Sequence, residues 1–362
     1  MHENYMKLAL ELAEKGRGKV SPNPMVGAVI VKENKVIGKG YHECYGEAHA
    51  EVKAFENATV DVEGATLYVT LEPCSHYGKT PPCVDKIIDK KIKEVVIGSL
   101  DPNPLVSGRG VQKLIDAGIE VTIGVLEKEC RELNEVFMKY IVEKKPFVIM
   151  KIAMSLDGKI ATKTGESKWI TGSGSRNNVH RLRNEVAGIM VGVNTVITDN
   201  PELTCRIENG NNPIRIIVDS KLRIPIESKV LENQNLAKTI VATTDKADMA
   251  KKIEIGKKGV KVLIVKSIEG KVDLHELMSR LAEENIDSIL LEGGATLNFS
   301  ALEQGIVDKV QVYIAPKIIG GDKSKTPVGG SGIEDLTKVF QLRRISSKFI
   351  GEDILIEGYI RR

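Results

Sequence analysis

Residues 46–83 read GEAHAEVKAFENATVDVEGATLYVTLEPCSHYGKTPPC. A helical pattern over 48–57 gives way to an apolar, β-branched run over 65–71, and a second helical pattern covers 82–90. The alternation continues on both sides. Further strand-like runs lie at 26–31, 94–100 and 119–124, and a further helical pattern lies at 110–117. Short strands alternating with helices predict an α/β sheet layered between helices. A longer helical stretch over 127–142 ends before Lys144-Lys145-Pro146, and proline cannot extend a helix. The domain boundary is expected there, giving domains of 1–145 and 146–362.

The second part restarts with an apolar strand at 147–153. Further runs follow at 188–193, 214–219, 239–243, 260–265, 288–291 and 309–315, with helices between most of them. Two strand-like segments, 340–346 and 353–360, flank the turn-prone Gly351. A mostly parallel sheet closed by an antiparallel pair is expected. No repeat at a solenoid period is present.

Composition narrows the function classes. With 42 % apolar and 28 % charged residues, disordered and fibrous classes drop out. The 362 residues can bury substantial cores without disulfide staples. The net charge is +3; residues 1–145 hold 20 basic and 22 acidic side chains, net −2, which leaves +5 for the rest. Neither half reads as a polynucleotide-binding surface. The five cysteines lack disulfide-framework spacing, and no apolar run reaches the ~18–20 residues of a membrane span. A soluble cytoplasmic protein without membrane or nucleic-acid partners is expected.

His49, Cys74 and Cys83 offer one imidazole and two thiols, a donor set that suits Zn²⁺. Three protein ligands leave a fourth position for water, whose pKa zinc lowers from 15.7 towards ~7. A carboxylate must then move protons, and Glu51 is the adjacent candidate. Positions i and i+2 do not share a face in mid-helix, so His49 is expected at a helix start with Glu51 turned across the metal. A closed structural zinc with His42, Cys44 or His76 as fourth ligand stays open, as does a zinc-stabilised binding module without turnover. A free-base or tRNA-editing deaminase is a further alternative, although 4 % aromatic residues offer little for stacking bases.

Zinc nucleobase deaminases carry H-x-E followed by P-C-x-x-C; here eight residues separate the cysteines. The stretch Pro73-Cys-Ser-His-Tyr-Gly-Lys-Thr-Pro-Pro-Cys83 resembles the long variant found in the bifunctional riboflavin biosynthesis RibD family, as do Ser21-Pro-Asn-Pro-Met-Val-Gly27 and Gly46-Glu-Ala-His-Ala-Glu51. The resemblance covers nearly the whole chain. It implies a cytidine-deaminase-like three-layer α/β/α domain that deaminates 2,5-diamino-6-ribosylamino-4(3H)-pyrimidinone 5′-phosphate. His49, Cys74 and Cys83 would be the zinc ligands and Glu51 the proton donor. Asn23, His42 and Lys79 are candidate contacts for this small phosphorylated pyrimidine.

The second half is less specific read residue by residue. Ser288-Ile-Leu-Leu-Glu-Gly-Gly294 is a strand running into glycines, which suits either a phosphate or an ordinary turn. Gly172-Ser-Gly-Ser175 reads as a helix N-cap. The stretches 153–161, 167–171 and 192–206, with Glu292-Gly-Gly294, resemble the reductase half of the same family. That implies a dihydrofolate-reductase-like α/β domain that uses NADPH to reduce the ribosyl chain to ribityl. Its cofactor positions map onto Ala153, Trp169, Thr195, Asp199, Ser220 and Gly294, Ala295, Thr296, Leu297, Asn298, Phe299 and Ser300. Its substrate positions map onto Ser167, Arg183, Leu203, Arg206 and Glu292, and two arginines suit a 5′-phosphate. Lys151 and Glu292 are candidate proton or charge partners. Lys221 and Arg223 could meet a 2′-phosphate, and a homo-oligomer is expected.

Overall fold

The computed structural model describes residues 1–77, 81–103 and 106–361. The chain divides into two compact units, Met1–Lys144 and Lys145–Arg362. In the first, strands β1 (Gly27–Lys32), β2 (Lys35–Tyr41), β3 (Thr66–Leu71), β4 (Glu94–Ser99) and β5 (Glu120–Ile123) form one sheet in the order β2-β1-β3-β4-β5. β1 pairs antiparallel with β2 and β3, whereas β3, β4 and β5 run parallel. Helices are α1 (His2–Glu14), α2 (Ala50–Glu56), α3 (Cys83–Asp89), α4 (Arg109–Asp116), α5 (Glu127–Leu133) and α6 (Glu135–Glu143).

Strand alternation splits the core into two layers. Ala28 and Ile30 of β1 join Ala54 of α2, Val84 of α3 and Leu114 of α4 on one face. Val29 and Val31 join Met6 and Ala9 of α1 and Cys130 of α5 on the other. Helix α2 lies directly against β2: a Cβ on Gly40 would stand 2.3 Å from the Ala50 carbonyl oxygen. That contact fixes the helix whose first turn carries Glu51.

Two features differ from the sequence expectation. Strand β2 has a mixed pattern, KVIGKGY, that the apolar-run criterion passes over; Glu33 and Asn34, with φ of 50° and 62°, turn the chain back onto β1. The single helix expected over 127–142 is two helices. Asn134 breaks it with φ −105° and ψ 23°, because its amide pairs with both backbone groups of Met25, accepting from N–H at 2.8 Å and donating to the carbonyl at 2.9 Å.

The second unit holds β6 (Phe147–Ser155), α7 (Ser173–Glu185), β7 (Gly188–Gly192), α8 (Val193–Asp199), β8 (Ile214–Val218), β9 (Thr239–Thr243), α9 (Met249–Lys257) and β10 (Lys261–Ile264). A short hairpin, β11 (Ser267–Ile268) and β12 (Lys271–Val272), follows. Then come α10 (Leu274–Glu283), β13 (Ser288–Gly293), α11 (Ala295–Glu303), β14 (Lys309–Ala315), β15 (Leu342–Ile350) and β16 (Asp353–Ile360). The nine-stranded sheet has the order β10-β9-β8-β7-β13-β6-β14-β16-β15. Strands β10 to β14 along that order are parallel, and β16 and β15 close it antiparallel. Met190 and Ile216 face α10 and α11, while Ile189 and Ile217 face α8 and α9. No helix among the described residues is long and apolar enough to cross a membrane.

Candidate active sites

His49 caps α2 in an extended conformation (φ −69°, ψ 161°), so Ala50 starts the helix and Glu51 stands in its first turn. Cys74 follows β3, and Cys83 opens α3. The three donor atoms lie within 4.8 Å of one another. His49 Nδ1 is 3.2 Å from Cys83 Sγ and 3.5 Å from Cys74 Sγ. The spacing and chemistry of this set fit a tetrahedral zinc with one position open. Among the described residues no fourth His, Cys, Asp or Glu joins the group. Cys44 and His76 are exposed. His42, at 3 % exposure, is no surface histidine and has both ring nitrogens engaged. Its Nδ1 lies 3.2 Å from the Ala48 carbonyl and must donate; its Nε2 therefore accepts from Asn23 Nδ2 at 3.2 Å.

Electrostatics sort these groups. The Cys74 thiol is pushed down to about 4, first by the hydrogen bond from the Cys83 thiol and then by His49. The Cys83 thiol, as the donor of that pair, is pushed up. Its backbone N–H also reaches Cys74 Sγ at 3.2 Å. The bond to Cys74 raises the His49 imidazole. Glu51 is 3 % exposed, and burial raises its carboxyl, with the charge on Cys74 adding to the effect. A carboxyl so placed can hold a proton and release it. Zinc, when bound, would supply a water acidified towards ~7.

Glu72 was missed by the sequence reading. It is 4 % exposed, and its carboxylate accepts four backbone N–H groups, from Asp101 (3.2 Å), Gly108 (3.0 Å), Gly110 (3.0 Å) and Val111 (3.3 Å). The available signal was a glutamate closing an otherwise apolar strand, two residues before Cys74. Lys79 lies outside the described residues.

In the second unit a cavity of about 990 Å³ is lined by Lys151, Ala153, Ser167, Trp169 and Asp199, and by Arg183, Leu203, Arg206 and Glu292. Its floor is an ion cluster whose side chains are 10–15 % exposed. Glu292 meets Lys151 Nζ at 3.1 Å, Arg183 Nε at 2.8 Å and Arg183 Nη2 at 3.0 Å. Burial alone would raise the Glu292 carboxyl, but Lys151 and Arg183 hold it well below the usual range. Arg183 thus gives its fork to a carboxylate, and its Nη1 donates to the Thr204 carbonyl at 3.0 Å. One N–H on each terminal nitrogen is left for a ligand. Arg206 is exposed, with Glu202 at 3.7 Å. Trp169 is no core residue: it is 60 % exposed on the cavity.

A second cavity of about 470 Å³ is lined by Thr195, Ser220, Gly294, Ala295, Thr296, Leu297 and Ser300. Gly293 and Gly294 have φ of 58° and 99°, and a Cβ on Gly293 would lie 2.1 Å from Asn298 Oδ1. Only glycine fits this turn, and it brings the backbone before α11 to the cavity. Thr195 Oγ1 donates to the Gly293 carbonyl at 3.1 Å. Asn298 and Phe299 turn inward: Asn298 donates to the Pro327 carbonyl, and Phe299 packs edge-on against Phe340. Lys221 and Arg223 reach this cavity, joined by Lys271 of the β11–β12 hairpin, which the sequence reading did not single out. Glycine turn, hydroxyls and cations fit the phosphates of NADPH.

Residues 1–99 match the family model for the cytidine and deoxycytidylate deaminase zinc-binding region, and 146–356 match the RibD C-terminal domain. The chain is 49 % identical to riboflavin biosynthesis protein RibD of Actinobacillus pleuropneumoniae, covering 98 % of this chain and 94 % of that one. It is 48 % identical to the Aquifex aeolicus protein of the same name, covering 98 % and 97 %. The solved structure of Acinetobacter baumannii RibD aligns with a TM-score of 0.88 at 36 % identity, over 100 % of this chain and 99 % of that one. A Thermotoga maritima diaminohydroxyphosphoribosylaminopyrimidine deaminase/5-amino-6-(5-phosphoribosylamino)uracil reductase aligns at 0.87 and 40 %, over 99 % of each. The first unit has the cytidine-deaminase-like fold and the second the dihydrofolate-reductase-like fold. With its zinc-type donor cluster, NADPH-suited cavity and near full-length likeness to these relatives, the chain belongs to the RibD family of riboflavin biosynthesis, bifunctional enzymes that join a deaminase to a reductase.

Proposed function

We propose that the two reactions divide between residues 1–145 and 146–362. The first part deaminates 2,5-diamino-6-ribosylamino-4(3H)-pyrimidinone 5′-phosphate; the second reduces the ribosylamino product to 5-amino-6-ribitylaminouracil 5′-phosphate. The observation that carries this reading is the convergence of His49, Cys74 and Cys83 beside buried Glu51. In it, His49, Cys74 and Cys83 hold the metal, and Glu51 moves protons to the leaving amine. Asn23 spends one N–H on His42 and keeps its carbonyl oxygen and second N–H for a pyrimidine edge; Lys79 meets the phosphate.

In the reductase, Thr195, Ser220 and the 294–300 turn hold the phosphate end of NADPH, and Ala153, Trp169 and Asp199 hold the nicotinamide end. Hydride goes to the imine carbon of the opened ribose and a proton to its nitrogen, so the protein need only orient the partners and deliver that proton. In this reading Lys151 delivers it, supported by the 3.1 Å contact with Glu292 that holds its ammonium at the cavity. Ser167, Leu203 and Arg206, with the two free N–H groups of Arg183, position the substrate.

Incubating the full chain with the diaminopyrimidinone phosphate should yield the deaminated product without NADPH and the ribityl compound with it, read by mass. A Cys74→Ala chain should reduce supplied deaminated product yet deaminate nothing. Deamination that survives in that variant sinks the assignment. We further infer a cytoplasmic homo-oligomer. Its five cysteines are free, and edge strand β15 exposes Ile345 and Phe349. A Phe349→Lys chain that keeps the wild-type mass in light scattering removes β15 from the interface; a monomeric wild type removes the oligomer, and a membrane-bound fraction removes the location.

A further inference from the structure

Trp169 is the single tryptophan of the chain, and a guanidinium packs on one face of its indole. The Arg176 guanidinium carbon sits 4.7 Å from the centre of its indole, while Arg176 Nη1 donates to the Thr171 carbonyl at 2.6 Å. Helix α7, which carries Arg176, is itself anchored by Asp353. That buried carboxylate accepts from Gly172 N–H at 2.8 Å and Ser175 Oγ at 2.5 Å. Lys317 Nζ donates to the Trp169 carbonyl at 2.9 Å. Thus the indole is held on one face by a permanent cation; both side chains line the large cavity, and the indole stays 60 % exposed there.

We propose that Arg176 is a positioning and specificity residue that makes the reductase prefer the neutral, reduced nicotinamide over the cationic, oxidised one. The proposal rests on the reading above that Trp169 meets the nicotinamide. Each face of an aromatic ring attracts a cation through the quadrupole, but here the guanidinium on one face sets its own charge against a second cation on the other. A ring stacked on the remaining face at about 3.5 Å brings its charge to roughly 8 Å from the guanidinium, about one Debye length at physiological salt. NADP⁺ is therefore repelled and NADPH is not. The phosphates of the two forms are identical and cancel in the comparison. Hydride transfer itself creates the repelled form, so the pocket loosens its grip as the reaction completes.

The test titrates NADPH and NADP⁺ into the full-length protein, following the emission of Trp169. Arg176→Gln removes the charge but keeps an N–H for Thr171, and Arg176→Lys keeps the charge. Arg176→Gln should narrow the ratio of the NADP⁺ to NADPH dissociation constants about three- to tenfold, mainly by tightening NADP⁺, and Arg176→Lys should hold it within about twofold. Added KCl should narrow the wild-type ratio, a readout that requires no variant to fold. An unchanged ratio in Arg176→Gln, or equal losses for both cofactors, overturns the proposal and leaves Arg176 a brace. If NADPH binds, by its own fluorescence, without quenching Trp169, the placement of the nicotinamide fails first and this inference goes with it.

Discussion

Glu51 in the first unit is buried and Glu292 in the second is 10 % exposed; both carboxylates stand among chemically active side chains, yet their surroundings drive them apart. Burial and the Cys74 charge raise Glu51, whereas Lys151 and Arg183 overcome burial and keep Glu292 ionised. Burial alone therefore assigns no role; the sign of the nearest charge does. Glu51 is free to exchange a proton. Glu292 is an anion held between a lysine and an arginine.

The largest expected effect tests the first half of that contrast. Glu51→Gln should lower deamination about 10³-fold while keeping about one zinc per chain and full reductase activity on deaminated substrate. Zinc lost together with activity would make Glu51 a ligand and end the comparison. Glu292→Gln tests the second half. It leaves Lys151 and Arg183 without their counter-charge and should cost about 3 kcal/mol in urea unfolding of the second unit. The same swap at Glu51 should cost far less; equal losses would mean that both carboxylates are structural anions.

The pH dependence sharpens the point further. Glu292 is depressed in the folded state, so its contribution to stability is complete above the unfolded glutamate value of about 4.3 and is lost as pH falls through the lower folded value. Urea midpoints taken from about pH 5 to pH 3 should fall more steeply for wild type than for Glu292→Gln. Parallel slopes would show that Glu292 titrates alike in the folded and unfolded chain, and a wild-type curve falling less steeply would show it protonated in the fold. The smallest effect belongs to Arg206→Lys, which keeps the charge and removes the fork. Substrate KM in the reductase should rise about tenfold with NADPH affinity unchanged; a loss of NADPH affinity would move Arg206 to the cofactor.

The two sites differ in how far the sequence exposes them. The zinc-type donors fall within 35 positions on consecutive elements, so helix and strand periodicity already sets them side by side. The reductase cavity draws Lys151 from β6, Arg183 from α7 and Glu292 from β13, which only the strand order brings together. Without the family resemblance those residues carried no local pattern. Neither Lys271, on a two-residue strand, nor Asp353, which caps a helix 180 residues earlier in the chain, leaves a periodic trace. The hidden break at Asn134 has the same origin: its partner, Met25, is 109 residues away.

Glu72 separates what can vary in the deaminase half from what cannot. Its carboxylate ties the end of β3 to the 101–111 segment, while Val84 N–H donates to the Cys74 carbonyl at 3.2 Å and seats the start of α3. Both cysteines are thus registered from outside the stretch between them. That stretch is eight residues long where other zinc deaminases have two, and neither Glu72 nor Val84 lies within it. Shortening it should alter which substrates are accepted well before zinc affinity changes, measured by chelator competition. Glu72→Gln should do the reverse, loosening the metal while the intervening sequence stays intact.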